Sequence, residues 1–378
     1  MSAAFGFVAP PIRFGRGAAQ EAVPAALAYG GPVLVVHGAR AERAAWLIDA
    51  LRAAGASVLC APCPREPDLQ MLEAALAAHR GAAPAVVAAL GGGAVIDFGK
   101  ALAALLPAPR PPMDHLEVVG KGLPLEAAPL PFIAIPTTAG TGAEATKNAV
   151  IGVPEHGRKV SLRDGRMLAD LALIDPALTD GCPKAVTLAS GLDAVTQVIE
   201  PYLSSRANGI TDALCLEALP RGLAALARLM RDEDAGARDD LAFCALAGGM
   251  ALANAGLGAV HGLAGPIGGV APDAPHGAVC GALLPHVMRA NRSAMAGRDL
   301  ARFDRVEAMV CSALDLPDIA ALARWSAAHG LPSLTQMGLA ASDHGAVAEA
   351  ALASSSMKAN PAPLDAAALM AILRAASA

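Results

Sequence analysis

The apolar run Ala85–Leu90 passes without a break into Gly91-Gly92-Gly93, and a helical pattern follows from about Val95 to Leu106. Few folds accommodate a strand that enters three glycines and leaves as a helix. An uninterrupted apolar strand is buried on both faces, as in a parallel sheet. Glycines clear the turn of side chains, so the backbone N–H groups of the following helix N-terminus can approach a phosphate closely. Taken alone, the triplet is equally compatible with a plain tight turn.

The neighbouring sequence repeats the alternation. Ile12–Gly15 reads as a short opening strand, and Pro32–His37 as a buried strand closed by Gly38. Ala41–Ala54 reads as a helix stopped by Gly55, Ala56–Cys60 as a strand and Asp68–His79 as a helix. Phe132–Ile135 and Leu171–Ile174 are further strands, with Pro107–Pro112 a surface loop. This pattern predicts an α/β N-terminal domain with a parallel, Rossmann-like sheet. After about Thr179 long alanine-rich helical stretches take over, which predicts an all-α C-terminal domain. The change falls near Gly181-Cys182-Pro183, giving domains 1–180 and 181–378. A chain of 378 residues, 54% hydrophobic, has the material for two cores. With only 3% aromatics, those cores are filled by Ala, Leu and Val.

Several function classes drop out. The net charge is −5, with Lys and Arg dispersed, so nucleic-acid binding is disfavoured. Seven cysteines without framework spacing suit a reducing, cytoplasmic setting. Cys60 and Cys63 form a C-x-x-C, but one pair is half of a four-ligand zinc site, and next to Pro64 it reads as a turn. Met1–Arg13 lacks the pattern of a signal peptide. Leu241–Val260 has no formal charge, yet Asn254 and its glycines favour a buried helix over a membrane span. Arg231–Asp240 reads as a solvated turn between helices.

Five short motifs carry chemistry. The first is Gly91-Gly92-Gly93-Ala94-Val95-Ile96-Asp97. The second, Pro136-Thr137-Thr138-Ala139-Gly140-Thr141-Gly142, also follows a strand, and its hydroxyls and glycines could line a ribose and phosphates, with Lys159 downstream as a positive charge. The third is Gly191-Leu192-Asp193-Ala194-Val195-Thr196-Gln197, which on a helix puts Asp193 and Gln197 on one face. The fourth and fifth are Val260-His261-Gly262 and Pro275-His276-Gly277. Asp and His are metal-ligand types, whereas the other histidines read as structural.

In this order, and with Asp175-Pro176-Ala177-Leu178-Thr179 between the second and third, the motifs resemble those of the iron-containing (group III) alcohol dehydrogenase family over nearly the whole chain. The resemblance implies an NAD- or NADP-binding α/β domain, a helical domain and an active site in the cleft between them. It assigns Gly92, Gly93, Ala94, Asp97, Thr137, Thr138, Thr141 and Lys159 to the cofactor, with Ala94 standing where the family usually has Ser. An Asp after the first strand marks NAD-preferring members. Gly38 stands there instead, with Arg40 nearby, so NADP is expected to be accepted.

The family's metal ligands are one Asp and three His. Asp193, His261 and His276 match, while Gln197 replaces the His one turn after the Asp and is a poorer donor for Fe or Zn. Gly265 stands where many members carry a further His, so proton relay falls to His276 or water. The implied reaction is metal-assisted hydride transfer between a small alcohol and its aldehyde or ketone, with His261 and His276 catalytic. The implied assembly is a homodimer, with no membrane partner. Two rivals remain: a metal-independent carbonyl reductase resembling maleylacetate reductases, and a nucleotide-binding sensor that has lost catalysis.

Overall fold

Backbone groups of strands buried on both faces must pair with one another, and the apolar runs of the first half of the chain do so. The computed structural model describes residues 4–295 and 298–378. The first three residues of the segment read for a targeting signal therefore lie outside the described residues. The strands are β1 (Ile12–Phe14), β2 (Val33–Gly38), β3 (Val58–Cys63), β4 (Val86–Gly91), β5 (Phe132–Pro136), β6 (Asn148–Val153), β7 (Arg158–Arg163) and β8 (Leu171–Ile174). Six of them form a parallel sheet in the order β1-β8-β5-β4-β2-β3. β6 and β7 form a separate antiparallel hairpin.

Alternate side chains divide between two cores. Leu34, Val36, Val87 and Ala89 face α3 (Leu69–His79), α4 (Gly93–Leu105) and the hairpin. Val33, Val35, Val86, Ala88 and Ile133 face α1 (Ala22–Leu27) and α2 (Ala45–Ala53). A further one-turn helix, α5, spans Pro112–His115. Each fully buried Val, Leu or Ile contributes about 1.5–3 kcal/mol.

The chain leaves β2 for β3 on one side and returns to β4 on the other. The strand order therefore reverses between β2 and β4, whose carboxyl ends are Gly38 and Gly91. A parallel sheet opens a crevice at such a point.

This unit comprises Ala9–Thr138 and Ala143–Thr179. Asp175 ties its start to its end: Oδ2 accepts from the N–H groups of Gly17 (2.9 Å) and Ala19 (3.2 Å), and Oδ1 from Ala177. The Asp175–Thr179 motif is thus a structural knot. Lys100 is buried with its three donors filled by the Ala143 carbonyl (2.7 Å), Thr146 Oγ1 (2.9 Å) and the Asn148 carbonyl (2.8 Å), which pins the entry to β6.

The second unit comprises Asp180–Ala378 together with the described tail up to Val8 and the segment Ala139–Gly142. Its helices are α6 (Lys184–Leu203), α7 (Gly209–Leu229), α8 (Ala235–Ala255), α9 (Ala259–Val270), α10 (His276–Ser293), α11 (Arg298–Leu314), α12 (Ala321–Ala328), α13 (His344–Leu352) and α14 (Ala366–Ala376). α6, α7 and α8 pack on one another, and α10 lies against α6. The amide of Asn254 pairs with both backbone groups of Val8, at 2.7 and 2.8 Å, and so attaches the tail.

Three sequence expectations are corrected, and one element lies outside them. Cys60 and Cys63 lie within β3, not in a turn, because β3 is an edge strand and tolerates Pro62. They face opposite cores and cannot share a ligand. The hairpin β6–β7 was not anticipated. Arg231–Asp240 is not simply a turn: α8 begins at Ala235, and buried Arg238 binds Glu233 (2.7 Å), Thr187 (2.8 Å) and the Cys182 carbonyl (3.0 Å). Leu241–Val260 is not one helix but a pair bent by 98° at Gly256–Gly258. Among the described residues no single helix is long and apolar enough to cross a membrane.

Glu144, next to Lys100 in charge if not in sequence, is 4% exposed. Burial pushes its carboxyl up to about 7, against the pull of its own backbone N–H and of Lys100. The folded chain therefore holds a proton that the unfolded chain releases near its ordinary value of about 4.3. The stability this contributes is complete below that value and is lost as pH rises through about 7. Glu144→Gln is expected to lose less thermal stability between about pH 5 and about pH 8 than the parent. Equal losses in the two proteins would contradict the assignment.

Candidate metal centre

Asp193, Gln197 and Glu200 follow one another at i, i+4 and i+7 along α6, so the helix presents all three on one stripe. All three are buried. His261 lies in the first turn of α9, and His276 opens α10. A glycine at or just before each helix start lets it come close. A Cβ on Gly277 would stand 2.4 Å from the Ala189 carbonyl oxygen and 3.1 Å from Asp193 Cβ. One on Gly258, just before α9, would stand 2.8 Å from Asn360 Oδ1 and 2.9 Å from Glu200 Oε1. The residues that cap α9 from outside, Glu200 on the Val260 N–H (2.7 Å) and Asn360 on the Ala259 N–H (3.0 Å), occupy that space.

The result is a convergent donor set. Asp193 Oδ1 lies 3.4 Å from His261 Nε2 and 3.9 Å from His276 Nε2. Cys280, one turn after His276 on α10, places Sγ 3.7 Å from His261 Nε2 and 3.6 Å from His276 Nε2. All four ligand atoms lie within 4.8 Å of one another. The buried Asp193 Oδ1 has no hydrogen-bond partner of normal geometry. Burial pushes the Asp193 carboxyl up, but His261, His276 and Cys280 around it outweigh that and hold it below the usual range. Burial likewise opposes charge on His261, yet Cys280, Asp193 and Glu200 raise it well above an ordinary imidazole. Cys280 beside His276 lifts that ring to about 9 despite burial. The anionic groups around the two rings favour positive charge there, and a divalent cation suits oxygen, nitrogen and sulfur donors so arranged.

Two members escaped the sequence reading. Glu200 Oε2 lies 2.6 Å from His261 Nδ1, the outer carboxylate that fixes which ring nitrogen faces the cluster. Its spacing from Asp193 was the available signal. Cys280 was marked only by its i+4 spacing from His276. Gln197 donates its amide N–H to the Gly140 carbonyl at 2.9 Å. Gly265 faces open space.

In the other unit, β4 and β5 bring two glycine-rich turns together. The Thr137 N–H donates to the Gly91 carbonyl (2.9 Å), and a Cβ on Gly92 would meet Thr138 Oγ1 at 3.3 Å. No side chain caps the N-terminus of α4, where Gly93 and Ala94 lie. Gly38 closes β2, and Arg40 beyond it is exposed. Asp97 accepts from the Val150 N–H (3.0 Å), and its Oδ1 lies 3.7 Å from Lys100 Nζ. Lys159, on β7, lies 3.9 Å from Glu66. Thr141 belongs to the segment that packs with the helical unit.

Residues 9–176 match the family described as iron-containing alcohol dehydrogenase, and residues 187–377 match the C-terminal domain of the same family. The chain belongs to the iron-containing alcohol dehydrogenase family. This alcohol dehydrogenase-family chain is 34% identical over 339 residues to a 4-hydroxybutyrate dehydrogenase of Cupriavidus necator, covering 86% of each chain. It is 34% identical over 292 residues to the lactaldehyde reductase of Escherichia coli K12, covering 76% of this chain and 75% of that one. A crystal structure of 1,3-propanediol oxidoreductase superposes with a TM-score of 0.86 at 27% identity, over 99% of this chain and 100% of the other. The chain is an oxidoreductase that interconverts alcohols and aldehydes.

If Glu200 orients His261, Glu200→Gln should weaken Zn²⁺ binding about 10- to 100-fold, as read by competition with a chelating dye. Unchanged affinity would remove Glu200 from the site.

Proposed function

We propose that the chain transfers a hydride between a small primary alcohol or its aldehyde and NADP or NAD, with Asp193, His261 and His276 holding a divalent cation. The observation that carries this reading is the Asp193 carboxylate, buried with one oxygen unpartnered and facing two imidazole nitrogens. A bound cation supplies Lewis acidity toward the substrate oxygen.

The chain's own residues supply the rest. Glu200 takes the Nδ1–H of His261, which leaves the Nε2 lone pair directed at the cluster. Gln197 holds the Gly140 carbonyl and so fixes the segment that follows Thr137 and Thr138. The His276 side chain is about a third exposed, so water at its edge can carry off the alcohol proton. In the nucleotide unit, Gly92, Gly93 and the N-terminus of α4 suit a diphosphate. Asp97 acts as a positioning residue, since both its oxygens are directed at β6 and Lys100. At the β2–β4 crevice Gly38 stands in place of an acid and Arg40 is exposed, which supports acceptance of a 2′-phosphate. The dehydrogenase and reductase relatives act on hydroxy-acid and short aldehyde substrates, so 4-hydroxybutyrate, lactaldehyde and 1,3-propanediol are the first compounds to try.

The test is steady-state turnover of these compounds with each nucleotide. His261→Ala is expected to lower kcat by about 100-fold or more, equivalent to about 2.7 kcal/mol. Arg40→Ala is expected to weaken NADPH about tenfold while leaving NADH unchanged. Normal turnover in His261→Ala would end the metal reading, and equal effects on the two nucleotides would end the role of Arg40.

A further inference from the structure

The donor set contains a thiol that the motif pattern does not anticipate. Cys280 is fully buried on α10, one turn after His276 and on the same face. Gln197, at the position of the family's third imidazole, is committed elsewhere: a carbonyl can only accept, so its amide nitrogen is turned to Gly140.

The distances around Cys280 are those of a coordination shell. A tetrahedral ion with bonds of roughly 2.0–2.1 Å to nitrogen or oxygen and about 2.3 Å to sulfur has ligand–ligand edges of about 3.4 Å (N···O) and about 3.6 Å (N···S). Cys280 Sγ stands 3.7 and 3.6 Å from the two imidazole nitrogens, and Asp193 Oδ1 stands 3.4 Å from His261 Nε2. The Asp193–His276 edge, at 3.9 Å, is the longer one. A second observation is independent of the thiol: Asp193 Oδ1, on a side chain that is 1% exposed, is unpartnered and directed into the same space.

We propose that Cys280 Sγ is the fourth protein ligand of the resident cation, making an Asp–His–His–Cys site that selects zinc over iron. The thiol proton leaves to solvent as the cation binds. A thiolate is a soft donor that shifts a mixed oxygen–nitrogen site toward zinc. Two anionic ligands on one divalent ion also leave the buried shell neutral, which lessens the cost of placing it away from water. The inference rests on the proposed cation site and adds its fourth ligand and its metal preference.

The experiment loads the full-length chain with Co²⁺ in place of the resident ion and records its absorption spectrum. One Co²⁺ per chain with a thiolate-to-cobalt charge-transfer band in the near ultraviolet is expected. Cys280→Ser should lose that band and keep the visible ligand-field bands. In the same variant, Zn²⁺ affinity should fall by more than the roughly 10- to 100-fold that loss of an outer partner costs. As a check that does not depend on the variant's folding, X-ray absorption of the Zn²⁺-loaded parent chain should show one sulfur neighbour at about 2.3 Å from the metal. Stoichiometric Co²⁺ without the charge-transfer band would overturn the role of Cys280 and leave the cation site standing. No stoichiometric Co²⁺ or Zn²⁺ binding would overturn both.

Discussion

A carboxylate oxygen left without a hydrogen bond in a protein interior is costly, and the helical unit is arranged around one, Asp193 Oδ1. Asp193 is 1% exposed in the middle of α6. Its surroundings are set by how closely other helix starts approach it. Gly277 brings α10 against the Ala189 carbonyl, and α9 starts where Glu200 and Asn360 cap it. Larger side chains at Gly277 and Gly258 would hold the helices apart, and the two imidazoles would no longer reach the same carboxylate oxygen. The convergence of H-G and P-H-G on the Asp193 stripe is therefore a packing result before it is a chemical one. The cation proposed for the cluster is the counterpart of that packing.

The nucleotide unit is governed by a different constraint, the reversal of strand order between β2 and β4. Everything assigned to the cofactor in that unit sits at or after the carboxyl end of a strand, except Lys159 and Asp97. Those two are engaged by Glu66 and by Val150 and Lys100. Their effect on a nucleotide passes through the shape of the loops they hold. Lys100, with all three donors filled, performs the same service for the entry to β6.

The fold was legible where burial was symmetrical. β2, β4, β5 and β8 are covered on both faces, so their sequences are continuous apolar runs, and the glycine turn after β4 is marked by composition alone. The hairpin β6–β7 was not legible, because Arg158, Lys159 and Arg163 break the apolar signal. Pro62 and Pro64 disguised an edge strand as a turn. Nor did the sequence reveal the bend between α8 and α9, since the apolar run continues through both sides of it. At the candidate site the motif residues were legible because they are the unusual polar positions in apolar helices. Glu200 and Cys280 follow from helical spacing only once α6 and α10 are known to meet, and that is a tertiary fact. The role of Gln197 depends on the Gly140 carbonyl, far away in sequence.

The central claim is that this cluster holds a cation. Native mass spectrometry of the chain, purified without chelator, tests it most directly. The account predicts a mass increment of one divalent ion per chain that disappears in Asp193→Asn. A metal-free chain that still turns over alcohol or aldehyde would contradict it.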